Sequence, residues 1–181
     1  RGGSKGIPAK NQKKLHGIPL LAHTLLQIID SNSFDHIAVS SDDDNLLKIA
    51  SEYGCKNLIR RPNNLATDNA PKIPVIRHCV EEVEKKYNTK FDICVDFDAT
   101  SPLRNIEDIH SVLSMCKDHS VSNVITGMKS RRSPYFNMVE LDENNTPYLS
   151  KKPNDKVVRR QDSPRCFDMN ASIYAWKRKH L

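Results

Sequence analysis

From Pro19 to Ile29 the apolar residues Leu21, Leu25, Ile28 and Ile29 recur at helical spacing, and Asp30-Ser31-Asn32-Ser33 reads as the turn that closes the segment. His36 to Ser40 is a short β-rich run. Asp42-Asp43-Asp44 then offers acidic caps to a helix from about Asn45 to Tyr53, and Gly54 stands where a left-handed residue ends such a helix. Lys56 to Arg60 reads as a strand and Pro62 to Ala70 as a polar loop. Ile73 to Lys86 carries its apolar stripe at Ile73, Ile76, Val80 and Val83. Phe91 to Phe97 is a strand broken by Ala99-Thr100-Ser101-Pro102, Ile106 to Cys116 a helix, and Asn123 to Met128 a strand. This alternation predicts an α/β fold: a mostly parallel central sheet with helices on both faces. In such sheets ligands collect beyond the carboxyl ends of the strands.

The rhythm changes between residues 130 and 166, which are rich in charge, proline and asparagine. Short β-like pieces remain at Tyr135 to Leu141 and Tyr148-Leu149, and Asp142-Glu143-Asn144-Asn145 suits a hairpin turn. We read 130–166 as an arm inserted in a single domain, 1–181, before Ser172 to Trp176 returns as a strand. The chain is 181 residues long with 28 Lys and Arg against 22 Asp and Glu, a net charge of +6 that suits an anionic partner. Aromatics make up 6% of the chain, and the basic clusters (Lys151-Lys152, Arg159-Arg160, Lys177 to Lys179) lack the interleaved rings of a nucleic-acid surface. No nucleic-acid partner is expected. No membrane is expected either, since no run approaches the ~18 apolar residues of a spanning helix. The five cysteines have no zinc spacing, which points to a reducing cytoplasm.

The densest chemistry lies at the start, in RGGSKGIPAKN. Gly2, Gly3 and Gly6 let the backbone turn its N–H groups onto an anion, and Arg1, Lys5 and Lys10 add three cations to one short loop. The spacing is neither a Walker loop nor a dinucleotide fingerprint. A flexible basic tail would look similar in isolation, but the helix from Pro19 follows closely.

This opening resembles the signature of the acylneuraminate cytidylyltransferases, which make CMP-activated nonulosonic acids of the sialic, legionaminic and pseudaminic types. The resemblance continues in order through HGIPLLAHTL, VSSDDDNLLKIASEYG, RRPNNLATDNAP, DATSPLRNIEDI and FDMNASIYAW, from Arg1 to Trp176. It implies a Rossmann-like nucleotidyltransferase fold with a small dimerisation arm, a homodimer, Mg²⁺, and CTP and a nonulosonic sugar acid as substrates. The implied reaction is attack of the sugar's anomeric hydroxyl on the α-phosphate of CTP with release of pyrophosphate. By the same resemblance Arg1, Lys5 and Lys10 are catalytic cations, and Gly2, Gly3, Ser4 and Asn11 hold the nucleotide. Arg61, Asp68, Asn69 and Ala70 face the base. Asp98, Thr100, Ser101, Arg104, Arg160, Gln161 and Asn170 face the sugar acid.

Several positions leave alternatives open. Relatives often carry Gln at position 98, so Asp98 is a candidate for Mg²⁺, for a sugar hydroxyl, or for capping its own loop. Asp96 is the other strand-end carboxylate. Arg104 suits a substrate carboxylate, a helix cap or a subunit bridge equally, Arg61 could form a surface salt bridge, and Tyr174 suits core packing. Lys72 replaces a small hydroxyl residue and Asp168 a basic one. No side chain stands out as a general base, leaving a metal-bound water or Asp98. The resemblance also places a leading strand ahead of Arg1 and an acidic segment with a last helix beyond Leu181, so the chain is expected to be a piece of the family's domain. Rival readings keep the fold with another sugar or GTP, or make the chain a non-catalytic nucleotide-binding homologue.

Overall fold

In the computed structural model of the chain, residue 3 and residues 6–118, 120–152 and 159–181 are described. The elements run β1 (Lys14–Leu15), β2 (Ile18–Pro19), α1 (Leu20–Asp30), β3 (Ala38–Ser41), α2 (Asp44–Glu52), β4 (Asn57–Arg60) and α3 (Lys72–Tyr87). They continue with β5 (Ile93–Phe97), α4 (Ile106–Lys117), β6 (Asn123–Lys129), β7 (Val139–Leu141), β8 (Pro147–Leu149) and β9 (Phe167–Lys177). Two compact units emerge, one of residues 1–126 with 171–181 and one of residues 127–170. Among the described residues no helix is long and apolar enough to cross a membrane.

In the first unit the helix ends follow local chemistry. The Asp43 carboxylate accepts the Asn45 N–H at 2.9 Å and caps α2. Gly54, at φ +90°, closes the turn after it. Asn105 and Asp108 form a reciprocal capping box on α4. A hairpin unforeseen in the sequence joins β1 to β2: Leu15 faces Ile18 across His16 and Gly17, at φ +49° and +82°, as a two-residue turn of primed type requires.

The sheet departs from expectation. β3 and β4 pair in parallel, but β5 and β9 pair antiparallel, with Asp96 opposite Tyr174 and Cys94 opposite Trp176. In place of one mostly parallel sheet, these strands form separate sheets among the described residues, a parallel β3–β4 pair and a three-stranded β5–β9–β6 sheet with an antiparallel β5–β9 pairing. A parallel neighbour needs a long crossover, usually a helix; between β6 and β9, neighbours in the same sheet, the described chain holds the β7–β8 hairpin and a 3₁₀ turn at Arg160–Asp162 but no α-helix.

Helices do cover both faces of the β5–β9 pair. Ile93, Val95, Phe97, Ile173 and Ala175 pack with Ile109, Val112 and Cys116 of α4. Cys94 and Trp176 pack with Ile76 of α3 and Leu181. The far end of α3 is tied down by Glu84, which is 2% exposed. It accepts from Arg178 Nε at 2.8 Å and Nη2 at 3.1 Å, and from Lys90 Nζ at 2.7 Å. These donors, led by Arg178, hold its carboxyl down at about 2.

A cleft of about 940 Å³ lies between β3 and β5. Each of these strands has one hydrogen-bonded neighbour among the described residues, β4 and β9 respectively. Apolar side chains of α1 and α3, including Leu25, Ile28, Val80 and Val83, line it together with a polar set from the loops and strand ends.

The second unit is built on the β7–β8 hairpin, with Val139 opposite Leu149. Its turn falls at the anticipated Asp142 to Asn145: Asp142 Oδ1 accepts from Asn144 N at 2.9 Å and Thr146 N at 2.8 Å. The strand expected from Tyr135 starts only at Val139, because Phe136 N and Asn137 N turn back onto the Ser133 carbonyl. Val139, Leu141, Tyr148 and Leu149 are exposed.

Candidate active site

Asn11, Arg61 and Asp98, three of the residues singled out from sequence, line the cleft together, and Lys72, Asp96, Ser40 and Ser41 line it with them. Each is placed by a local device. The Lys10–Gln12 3₁₀ turn follows Ala9 at φ +51° and is anchored by Gln12 Nε2, which donates to Asp43 Oδ2 at 2.7 Å. Asn11 Oδ1 is buried without a hydrogen-bond partner among the described residues. Such an acceptor is costly to leave empty and suits a donor on an entering ligand. Of the glycine loop, Gly3, Gly6 and Lys10 are among the described residues; Arg1, Gly2, Ser4 and Lys5 lie outside them.

Arg61 reaches back to the end of β3, with Nε on Ser40 Oγ at 3.2 Å and Nη2 on the Ser40 carbonyl at 2.7 Å, while its own N–H donates to the Ser41 carbonyl. Asp68, Asn69 and Ala70 form the turn leading into α3 and are not among the residues lining the cleft. Lys72, the first residue of α3, puts Nζ 2.7 Å from Asp96 Oδ2 and 4.3 Å from the centre of the Tyr174 ring. A cation at a helix N-terminus opposes the macrodipole, and Asp96 offsets that penalty. The aromatic at 174 thus packs, as anticipated, and also seats an ammonium.

Asp98 follows β5 and is held at both ends. Its N–H donates to the Ser172 carbonyl at 3.1 Å, and its Oδ1 accepts from Thr100 N at 2.8 Å and Thr100 Oγ1 at 2.7 Å. The loop-capping reading of Asp98 is therefore realised in the geometry. Thr100 and Ser101 lie on this loop but are not among the cleft lining.

Arg104 is 7% exposed, and all five of its N–H groups have protein acceptors. Burial lowers its pKa, while Asp98, Asp96 and Asp108 act in the opposite direction. No N–H of this guanidinium is left over for a substrate carboxylate. Its partners Thr24, Gln27 and Ser172 carry no sequence signal that would single them out, because the contacts span 68 to 80 residues.

Arg160, Gln161 and Asn170 belong to the second unit. Arg160 Nη2 donates to the Arg131 carbonyl at 2.5 Å, and Arg160 and Gln161 share the 3₁₀ turn Arg160–Asp162. Asn170 is exposed on β9. Among the described residues no group of three or more His, Cys, Asp or Glu could hold a metal ion. One carboxylate with substrate phosphates is nevertheless an ordinary Mg²⁺ environment. Asp98 fits that pattern better than Asp96, which Lys72 already neutralises.

The sequence and the fold have counterparts among known proteins. The profile of the cytidylyltransferase family matches residues 1–180. The chain is 38% identical over 181 residues to the post-translational flagellin modification protein B of Campylobacter coli, covering all of this chain and 76% of that protein. It is 39% identical, with the same coverage, to the CMP-N,N'-diacetyllegionaminic acid synthase of Campylobacter jejuni. In structure it resembles a CMP:2-keto-3-deoxy-manno-octonic acid synthetase complexed with CTP, at a TM-score of 0.68 and 18% identity over 99% of this chain and 71% of that one, a likeness of fold. The profile match over residues 1–180, with relatives 38% and 39% identical over the whole of this chain, places the chain in the cytidylyltransferase family.

Proposed function

We propose that the chain catalyses formation of a CMP-activated nonulosonic acid from CTP and the free sugar acid, with release of pyrophosphate. The observation that carries this reading is the match to the CMP-N,N'-diacetyllegionaminic acid synthase over all of this chain and 76% of that protein, in a chain whose cleft gathers Asn11, Arg61 and Asp98. The bond that forms joins the anomeric oxygen to the α-phosphorus, the bond from the α-phosphorus to the bridging oxygen of the departing pyrophosphate breaks, and the anomeric hydroxyl's proton is lost to water. Little covalent work falls to the protein, so positioning and charge carry the rate. Arg1, Lys5 and Lys10 neutralise the triphosphate, with Gly2, Gly3 and Ser4 offering backbone N–H groups. Asn11 Oδ1 accepts from the nucleoside, and Arg61 with the Asp68 to Ala70 turn holds the base.

Asp98 is the carboxylate for Mg²⁺, which supplies charge stabilisation at the phosphates when bound. Thr100 and Ser101 present hydroxyls to the sugar acid, Arg160 and Gln161 approach its carboxylate, and Asn170 faces the sugar. The exposed apolar face of the β7–β8 hairpin supports a homodimer made through the second unit, and the enzyme works in the cytoplasm. The test is pyrophosphate release from CTP and Mg²⁺ with N-acetylneuraminate, diacetyllegionaminate, a pseudaminate and the octulosonate in parallel, with GTP as control. Turnover with one nonulosonic acid, abolished by Lys5→Ala, is expected. CTP binding without pyrophosphate release from any acid would overturn the reading.

A further inference from the structure

Arg104 holds a buried positive charge on a loop, and its hydrogen-bond partners are neutral groups. Nε donates to Ser172 Oγ at 3.1 Å. One terminal nitrogen donates to Thr24 Oγ1 at 3.3 Å and Gln27 Oε1 at 3.0 Å, the other to the carbonyls of Asp98 and Ser172 at 2.9 and 3.0 Å. Its face lies 5.2 Å from the centre of the Phe97 ring. Gln27 is engaged just as fully. While Oε1 accepts from Arg104, its Nε2 donates to the Pro102 carbonyl at 2.6 Å and the Arg104 carbonyl at 3.1 Å.

The two side chains thus bracket the loop from both ends, Arg104 at the Asp98 carbonyl and Gln27 at Pro102 and Arg104. That same Asp98 carbonyl accepts the Ser101 N–H at 3.3 Å, and the Asp98 carboxylate takes both Thr100 groups. Turning Arg104 outward to meet a substrate would break all five of its hydrogen bonds, with the Asp98 and Ser172 carbonyls keeping one other donor each, from Ser101 N–H and Asp98 N–H; that cost exceeds any single contact it could gain.

We propose that Arg104 and Gln27 are a pair of positioning residues for the sugar-acid side of the reaction, holding the Asp98–Ser101 loop in its working shape without touching substrate. The proposal rests on the cytidylyltransfer reading above for its kinetic consequence, but its structural content does not. Gln27→Glu separates the roles. The carboxylate still accepts from Arg104 but cannot donate to the two loop carbonyls, and it repels them. Arg104→Lys keeps the charge and loses most of the bonds.

The experiment is steady-state kinetics with CTP and the accepted sugar acid on both variants, together with amide hydrogen exchange at Thr100 and Ser101. For Gln27→Glu the sugar-acid KM should rise roughly ten- to a hundredfold, the range that misplacement of reacting groups produces. Because Asp98 also serves the phosphates through Mg²⁺, the CTP KM should rise as well but by less than the sugar-acid KM, and the Thr100 and Ser101 amides should exchange about tenfold faster than in the parent. Arg104→Lys should show the same split. If both variants only lose melting temperature and keep both KM values, the pair is merely structural and the proposal falls. If Arg104→Lys loses the sugar acid while Gln27→Glu changes nothing, Arg104 touches the substrate and the proposal falls equally. Should the parent turn over no sugar acid, the functional reading fails by itself. The exchange rates then decide: faster exchange in Gln27→Glu supports the bracket, and unchanged protection overturns it.

Discussion

Glu84 gives the sharpest thermodynamic expectation. It sits in the charged run EEVEKK, yet it is almost wholly buried and carries a doubly bonded Arg178 and a Lys90 ammonium. Its carboxyl is held at about 2, against an ordinary 4.5. A folded-state value below the unfolded one means that the group stabilises the fold at any pH above the unfolded value. That contribution is lost as the pH falls through the window from about 4.5 to about 2. A displacement of this size corresponds to roughly 3 kcal/mol at neutral pH. Glu84→Gln removes the charge, keeps the shape and leaves Arg178, whose side chain is 21% exposed, facing a neutral amide. At pH 7 the variant should be less stable by about 3 kcal/mol, in line with the cost of breaking a buried pair. The difference should shrink steadily below pH 4.5 and close near pH 2. Urea titrations followed by circular dichroism, run at half-unit steps from pH 2 to 7, would measure it. Parallel stability curves for parent and variant over that range, or a difference below about 0.5 kcal/mol at pH 7, would refute the reasoning.

Burial pushes the Cys79 thiol up to about 12 and the Cys94 thiol to about 11. At pH 8 both should resist iodoacetamide in the folded protein and react only once urea unfolds it, as peptide mass mapping would show. Gly54→Ala should cost roughly 1–2 kcal/mol. The added Cβ meets only Ile29 Cδ1 at 3.4 Å, an ordinary contact, so the penalty is the left-handed backbone at φ +90°. A lower urea midpoint with an unchanged slope would fit, and an unchanged midpoint would not.

Much of the fold could be read from local signals. Asp43 and Gly54 bracket α2 as their chemistry demands, and the stripe from Ile73 to Val83 falls within α3. Three features could not be read that way. Strand direction depends on what the connecting chain does, so the antiparallel return of β9 against β5 has no signature in FDMNASIYAW. The β1–β2 hairpin is two residues per strand, too short for a period to register. Glu84 looks solvent-facing because its partner Arg178 lies 94 positions away. The candidate site divides likewise. Motif resemblance pointed to Asn11, Arg61 and Asp98, which the fold gathers at one cleft. It could not foresee that Lys72 pairs with Asp96, nor that Arg104 is enclosed by Thr24, Gln27 and Ser172, since each contact is made by tertiary packing.

The strict two-face alternation of β5 has a consequence for how this sequence can change length. Ile93, Val95 and Phe97 belong to the layer under α4, and Cys94 and Asp96 to the layer under α3. Inserting or deleting a single residue early in the strand would exchange the two layers for everything after it. Asp96 would be driven into hydrocarbon beside Ile109 and Val112, and a bulky apolar side chain would take its place opposite Lys72. Point substitutions along this strand can be graded in severity. An odd-numbered change of length cannot, so the chemistry beyond its end is locked to the parity of the five residues before it.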